Sequence, residues 1–362
     1  METPWGLLRD LDLNDPELGA GILATDKHQL IEGLVVECLF DQIVAGIQDD
    51  SEGGKAVLLD IETAIVAPRR HGDPWLSFVL ARSKGEGLGR YFQILEQCSM
   101  AHLVTFEKGE LLCTQIHDRK AVHPAEPLDR FLESRYGPVL EEFAVSRSVR
   151  DASRQKSAFW GFISDYYKDR LGAHVILPRL FLNCGLQTRF RRLWNLDRIL
   201  LFKDRLWAME IKHKYPIQRP EGLEFGMNTG ELKVLEMLSK AGLKCLHTLL
   251  VKPFWTKDVG SMYLLNDLHS RGRAALVSGV FGQDALKRIL EGQSGRSGSH
   301  TSITGTGGLT WKTIALSGLQ KVGLLSDGVD DLAGTLAGIM EGRLDPIPSG
   351  WLEGLRMPGS RT

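Results

Sequence analysis

The chain has 362 residues, 43% of them hydrophobic, and a formal net charge of −1, which suits a globular protein large enough for two packed domains. Its five cysteines, Cys38, Cys98, Cys113, Cys184 and Cys245, are scattered with no Cys-x-x-Cys pair; this argues against a zinc ribbon or a disulfide framework and points to a reduced, cytoplasmic compartment. No basic leader precedes an apolar core at the N-terminus and no apolar run reaches the length of a membrane span, so neither secretion nor insertion is expected.

Residues 1 to about 25 are polar and carry Gly and Pro, the composition of a loosely ordered lead-in. From His28 to Ile47, apolar residues at Ile31, Leu34, Val35, Leu39 and Ile43 predict a helix packed on one face. Ala56 to Val66 and Trp75 to Ala81 read as strands, Gly89 to Met100 as a helix, and Leu103 to Phe106 with Leu111 to Ile116 as a hairpin about Glu107-Lys108-Gly109-Glu110. Together these predict an acidic α+β domain over residues 1–142, serving recognition or partner binding. Within it, Asp60-Ile61-Glu62-Thr63 resembles the first motif of DEDD-type 3′–5′ exonucleases, although the later acids of that family have no convincing counterpart here. An ordinary strand with its polar side outward explains the four residues better.

A second domain is predicted over residues 147–290. Phe159, Trp160, Phe162, Ile163, Tyr166 and Tyr167 give Ser157 to Leu171 a broad apolar helical face, and Val175 to Leu182 reads as a strand. Two runs rich in large apolar residues follow, Leu196 to Phe202 and Leu206 to Ile211, separated by Lys203-Asp204-Arg205. With Lys203-Asp204 as a two-residue turn, Phe202 faces Arg205, Leu200 faces Trp207 and Asp197 faces Glu210. Opposed Cβ atoms in such a pair lie roughly 4.5–5.5 Å apart, close enough for one hard cation to bridge the two carboxylates. Period two places Ala208, Glu210 and Lys212 on one face and Trp207, Met209 and Ile211 on the other. Asn228-Thr229-Gly230-Glu231 then supplies the N-cap and N3 residues of a capping box before Leu232, Leu235 and Leu238, with Gly242 near the stop. Cys245 to Val251 is a further strand, broken by Pro253.

The Asp197, spacer, Glu210-Ile211-Lys212 arrangement, within a helix-strand-strand-strand-helix-strand order across residues 157–252, resembles the PD-(D/E)xK phosphodiesterase superfamily. That resemblance covers about a quarter of the chain and implies an α/β protein with a restriction-endonuclease-like αβββαβ core. Leu196 stands where many members have proline before the first acid. The resemblance implies a Mg²⁺- or Mn²⁺-dependent endonuclease in which Asp197, Glu210 and the carbonyl of Ile211 hold the ion. Lys212 would position or activate the attacking water and stabilise charge at the phosphorus. A further acid on the first helix is implied, here Asp165, with Asp169 as competitor. DNA is the implied substrate and a homodimer or larger complex the implied assembly; the alternative is a non-catalytic DNA-docking or assembly subunit of a defence, transposition or recombination complex. His213, directed away from Lys212 in a regular strand, reads as structural.

Charge is distributed unevenly. Residues 1–142 hold 13 Lys/Arg against 25 Asp/Glu, a balance of −12, whereas residues 147–214 hold 15 against 6, a balance of +9. Arg189, Arg191, Arg192, Arg198 and Lys214, interleaved with aromatic residues, form the pattern of a phosphate-tracking surface; the same polarity also suits a basic region docked on its own acidic partner. Beyond Pro253, Asp258 to Arg273 and Gln283 to Leu290 read as helices. Residues 291–308, rich in Gly, Ser and Thr, read as a flexible linker, and its glycines lack the adjacent lysine of a Walker A loop. Residues 309–362 then read as a small helical appendage, with stripes through Ile314, Leu316, Leu319, Val322 and Leu325 and through Val329, Leu332, Leu336 and Ile339.

Overall fold

The hairpin at the centre of the chain forms because Lys203 and Asp204 both take up positive φ, 45° and 60°, as a two-residue turn matched to the twist of its strands requires. Neither is glycine, and each is held from outside: Asp204 by Arg90 at 2.9 Å and Lys203 by Glu341 at 2.5 Å. The resulting register joins Arg198–Phe202 to Arg205–Lys214, with Phe202 opposite Arg205, Leu200 opposite Trp207 and Arg198 opposite Met209, as the sequence predicts. This is a computed structural model, and it describes residues 1–25, 28–47, 56–141, 143, 153–256, 258–296 and 310–359.

Strand Arg205–Lys214 is ten residues long and its hairpin partner five. The difference arises at Asp197. Immediately before it, Leu193–Leu196 pairs with Ile61–Val66 in another sheet, from Leu193 opposite Val66 to Leu196 opposite Thr63. Asp197 is therefore the single residue between two sheets. The N-terminal sheet runs Leu193–Leu196, Ile61–Val66, Leu76–Ala81, Met100–Glu107, Glu110–His117, Lys120–Ala121. The central sheet runs Gln320–Leu324, Ala275–Val280, Lys244–Val251, Arg205–Lys214, Arg198–Phe202, Ala56–Leu58. Its parallel pair, Arg205–Lys214 with Lys244–Val251, is connected through helix Thr229–Lys240, as parallel neighbours require. A third, flanking sheet contains Ile217–Arg219, Gly222–Asn228, Thr310–Ala315 and Ser294–Arg296.

Three apolar cores lie between these layers. Helix His28–Ala45 and the helical run to Leu186 cover one face of the central sheet through Leu39, Ile43, Ile163, Leu180 and Phe181. Tyr91, Leu95, Val79, Leu201 and Leu206 pack between the central and N-terminal sheets, and Phe225, Met227, Leu249 and Val277 between the central and flanking sheets. Helix Thr229–Lys240 contributes to both of the latter, Val234 and Leu238 to one and Leu232 and Leu235 to the other.

Several expectations change. Val175–Leu182 is not a strand: it belongs to a helical stretch comprising Gly172–Ile176 and Phe181–Leu186 in wide π turns and Leu177–Leu180 in an α turn. Its residues are buried nearly throughout, and an apolar run buried on all sides carries no period by which to tell strand from helix. The protein is mixed α/β, but the expected continuous αβββαβ order across 157–252 is interrupted there. The strand flanking the hairpin comes instead from Ala56–Leu58, with Leu200 opposite Leu58. Strand pairing thus crosses the expected boundary between residues 142 and 147 twice. The region from residue 309 is not a helical appendage: Thr310–Ala315 and Gln320–Leu324 are strands of two sheets, and only the second stripe is a helix, Val329–Met340. The expected linker begins at the end of helix Gln283–Glu291 and contains strand Ser294–Arg296, residues 297–308 lying outside the described residues. The lead-in includes helix Pro16–Thr25, which buries Ile22 and Leu23. Among the described residues no helix is long and apolar enough to cross a membrane.

Helix His28–Ala45 is fixed to the hairpin by a buried ionic contact. Arg198 donates to both oxygens of Asp41, at 2.6 and 2.8 Å, lies 3.6 Å from Glu37, and donates to the carbonyl of Asp197. Burial, opposed by Arg198, pushes the Glu37 carboxyl up to about 7. Arg198→Met strands two acids, and we expect a loss of about 3–5 kcal/mol, read from the urea midpoint. Because the folded-state pKa of Glu37 is raised, its contribution to stability is full below the ordinary value of 4.5 and is lost as pH rises through 7. Glu37→Gln is expected to flatten the stability profile between those limits.

Candidate active site

Beyond Met209, strand Arg205–Lys214 has no hairpin partner, so its backbone edge faces the side chain of Asp197. Ile211 fills that gap by donating its N–H to Asp197 Oδ2 at 2.9 Å. A strand residue presents its N–H and C=O along the same edge, so the Ile211 carbonyl faces the same opening. The backbone N–H of Asp197 points to Glu210 Oε1 at 3.4 Å. Lys212 completes the arrangement: its Nζ lies 2.9 Å from Asp197 Oδ2 and 2.8 Å from Glu210 Oε2. The ladder ends at Arg198 opposite Met209, so Asp197 is not a strand partner of Glu210, but the two carboxylates and Lys212 do come together, with the ammonium standing between the carboxylates.

A third carboxylate was legible only as a helix cap. Asn228 caps helix Thr229–Lys240, accepting the N–H groups of Gly230 at 2.7 Å and Glu231 at 3.3 Å. Glu231 does not reach back to the cap; it turns toward Lys212, its Oε1 3.6 Å from Nζ, buried and without a hydrogen bond. The first turn can lie this close because residue 230 is glycine. A Cβ there would fall 2.1 Å from the Trp194 ring.

Burial raises the Glu210 carboxyl well above its ordinary range, and the neighbouring Asp197 charge adds to this. Burial acts in the same direction on Asp197, but Lys212, the Ile211 N–H and Arg198 outweigh it and hold that carboxyl low. Lys212 is held well above its ordinary value, since its carboxylate neighbours outweigh desolvation. Glu210 is 2% exposed and Lys212 27%, so the cluster meets solvent at the lysine. On the neighbouring strand His247 lies opposite Glu210; burial, then the charges of Lys212 and Lys214, keep it neutral.

Other predicted residues lie elsewhere. Asp165 is exposed on helix Ser153–Tyr167, as Asp169 is just beyond it, and among the described residues neither is hydrogen-bonded or ion-paired to this cluster; from helix His28–Ala45, Glu37 senses the charge of Asp197. Arg189 is buried, donating to the carbonyl of Gly137 at 3.3 Å and lying 4.0 Å from Asp129. With Arg198 held by Asp41, these two cations join the basic segment to the acidic one and are not a phosphate surface. Lys214 is half-buried and donates to the Gly226 carbonyl. Arg191 and Arg192 are exposed, Arg192 donating to the Pro68 carbonyl. His213 is structural, its ring bonded to Tyr263 at 2.7 Å and Ser261 at 3.0 Å. Asp60 is paired with Arg82 at 2.6 Å and Glu62 is buried.

Comparison with protein-family profiles, curated proteins and solved structures finds no match to this chain.

Among the described residues no three Asp, Glu, His or Cys side chains converge tightly enough to chelate an ion in this arrangement. The donor chemistry nevertheless fits a hard dication: Asp197, Glu210 and Glu231 face a single ammonium, and Glu231 retains an unbonded buried oxygen.

Gly230→Ala is expected to lose about 1–3 kcal/mol from the clash with Trp194, although alanine is the better helix former by about 1 kcal/mol. In a Trp194→Ala background the same change should become neutral or stabilising. A double-mutant cycle of unfolding free energies checks the change of sign.

Proposed function

We propose that the chain is a metal-dependent phosphodiesterase acting on nucleic acid, with DNA the first substrate to test. The observation supporting this is the position of Lys212 Nζ, within 3 Å of both Asp197 Oδ2 and Glu210 Oε2, beside the strand edge along which Ile211 presents its N–H to Asp197. The hairpin, its following helix and the parallel strand Lys244–Val251 fit the PD-(D/E)xK arrangement; the interrupted helix-to-hairpin segment does not.

Asp197, Glu210 and the Ile211 carbonyl would hold Mg²⁺ or Mn²⁺. When bound, such an ion offsets phosphate charge and makes a coordinated water more acidic. The residues have distinct tasks. The Ile211 N–H fixes the rotamer of Asp197, and the Arg198 contact with the Asp197 carbonyl fixes its backbone. Glu210 must give up its proton before it can bind a cation, since only the ionised form is a hard ligand. Lys212, the member that meets solvent, keeps its proton and stabilises charge growing on a phosphoryl oxygen. One feature favours the second reading, a binding or assembly protein without turnover: Lys212 already bridges the carboxylates, so catalysis requires the ammonium to give way.

Cleavage of supercoiled, linear and single-stranded DNA in Mg²⁺ or Mn²⁺ tests the proposal. Asp197→Asn and Lys212→Met, shown to be folded, are each expected to lower the rate at least about 100-fold. Undiminished cleavage by both would move the chemistry elsewhere; binding without cleavage by the wild type would favour the assembly reading.

The raised Glu210 pKa sets a pH dependence. Metal affinity should rise with pH through a midpoint above the usual carboxylate range, with proton release on binding. Glu210→Gln should abolish that dependence. Calorimetric Mg²⁺ titration at several pH values measures both.

A further inference from the structure

Two hollows of about 540 and 640 Å³ adjoin at Gln97, between helix Leu88–Leu95 and helix Thr229–Lys240 and down to the hairpin turn. Neither belongs to the cluster around Lys212. We propose that this cleft holds a single-stranded nucleic-acid segment continuous with the strand presented to Lys212; the second half of that statement rests on the phosphodiesterase reading.

The chemistry of the walls selects this occupant. Trp75, Ile94, Met237 and Leu206 give the cleft an apolar, partly aromatic floor. Its rim is cationic. Lys240 is neutralised by Glu236 and Arg90 by Asp204, at 2.8 and 2.9 Å. Lys233, Arg205 and Lys244 are exposed and have no ion pair among the described residues. Unstacked bases suit such a floor and phosphates suit such a rim. A duplex keeps its base faces stacked inside and leaves the floor unused.

Position supports continuity. Gly230, Lys233, Met237 and Ala241 recur at helical spacing along one face, spanning about 16 Å at 1.5 Å per residue. Gly230 is covered by Trp194, whose ring lies 6.2 Å from that of Trp75. The next residue, Glu231, faces Lys212. The first residue of this helix that lines the cleft, Lys233, stands two positions after Glu231.

The test uses the full chain and fluorescently labelled oligonucleotides, single-stranded DNA, single-stranded RNA and duplex, with Ca²⁺ in place of Mg²⁺ to suppress turnover. The triple variant Lys233→Ala/Arg205→Ala/Lys244→Ala, with an unchanged melting temperature, is expected to bind single strands at least about tenfold more weakly. Its log–log salt slope should be shallower by about 2, three phosphate contacts at about 0.7 each. An independent readout is Cys98, which lines the cleft and is the half-buried cysteine among four buried ones. Bound single strand should slow its alkylation. Equal binding by the triple variant, unaltered Cys98 reactivity, preference for duplex, or displacement by polyglutamate at equal charge would each overturn the proposal, as would failure of the wild type to bind. Cleavage in Mg²⁺ is scored separately. Cleft-dependent binding without cleavage would leave this inference standing and remove the catalytic reading; cleavage unaffected by the cleft variant, with binding unchanged, would do the reverse.

Discussion

The structure depends on one acid placed where two sheets separate. Asp197 follows a strand of the N-terminal sheet and precedes a strand of the central one, so no neighbouring strand satisfies the edge that it faces. A free backbone N–H at a buried edge is costly, and the Asp197 carboxylate accepts that of Ile211. The same oxygen then binds Lys212. Fold and site are thereby coupled: the group that completes the hydrogen bonding of the sheet also orients the lysine. Arg198 reinforces this from the opposite face, tying the Asp197 carbonyl to Asp41.

The hairpin was legible because its information is local. Alternation, a polar two-residue turn and antiparallel arithmetic together determine which side chains meet, and Asp197, Glu210 and Lys212 meet as those rules require. The first strand of the expected core was misread for the opposite reason. Val175, Ile176, Leu180 and Phe181 are buried in the main core, where surroundings and not periodicity decide between helix and strand. The C-terminal strands were misread because Leu316, Leu319 and Val322 mimic helical spacing, while the glycine and threonine residues among them favour turns and strands. Glu231 was assigned to a capping box by pattern; its actual direction depends on Lys212, a long-range neighbour that no local pattern displays.

Part of the opposite charge of the two halves serves to join them. Arg198 meets Glu37 and Asp41, and Arg189 meets Asp129, so the basic segment is partly consumed in docking on the acidic one. The exposed cations that remain are differently placed from those the sequence emphasised. One of them, Arg205, together with Lys233 and Lys244 from beyond the basic segment, lines a cleft beside helix Thr229–Lys240. Burial also divides the labour of the acids: of two neighbouring carboxyls, Asp197 is held ionised and Glu210 is pushed toward its neutral form, a separation typical of sites where proton state matters.

Strand exchange between the halves has a consequence for synthesis. Ala56–Leu58 finds its partner only when Arg198–Phe202 exists, and Ile61–Val66, paired on one side with Leu76–Ala81, has its other edge covered by Leu193–Leu196. The pairings between halves span well over a hundred residues, and contacts of such separation form late. The emerging N-terminal half thus waits on the ribosome with open strand edges, a period of exposure to aggregation. Lys212, by contrast, draws its carboxylates from its own half, Asp197 and Glu210 from the hairpin and Glu231 from the helix that follows it. The early half therefore depends on the late one for its strand edges, while the late half already carries the whole cluster and receives from the early one the Asp41 contact that steadies Arg198 beside Asp197.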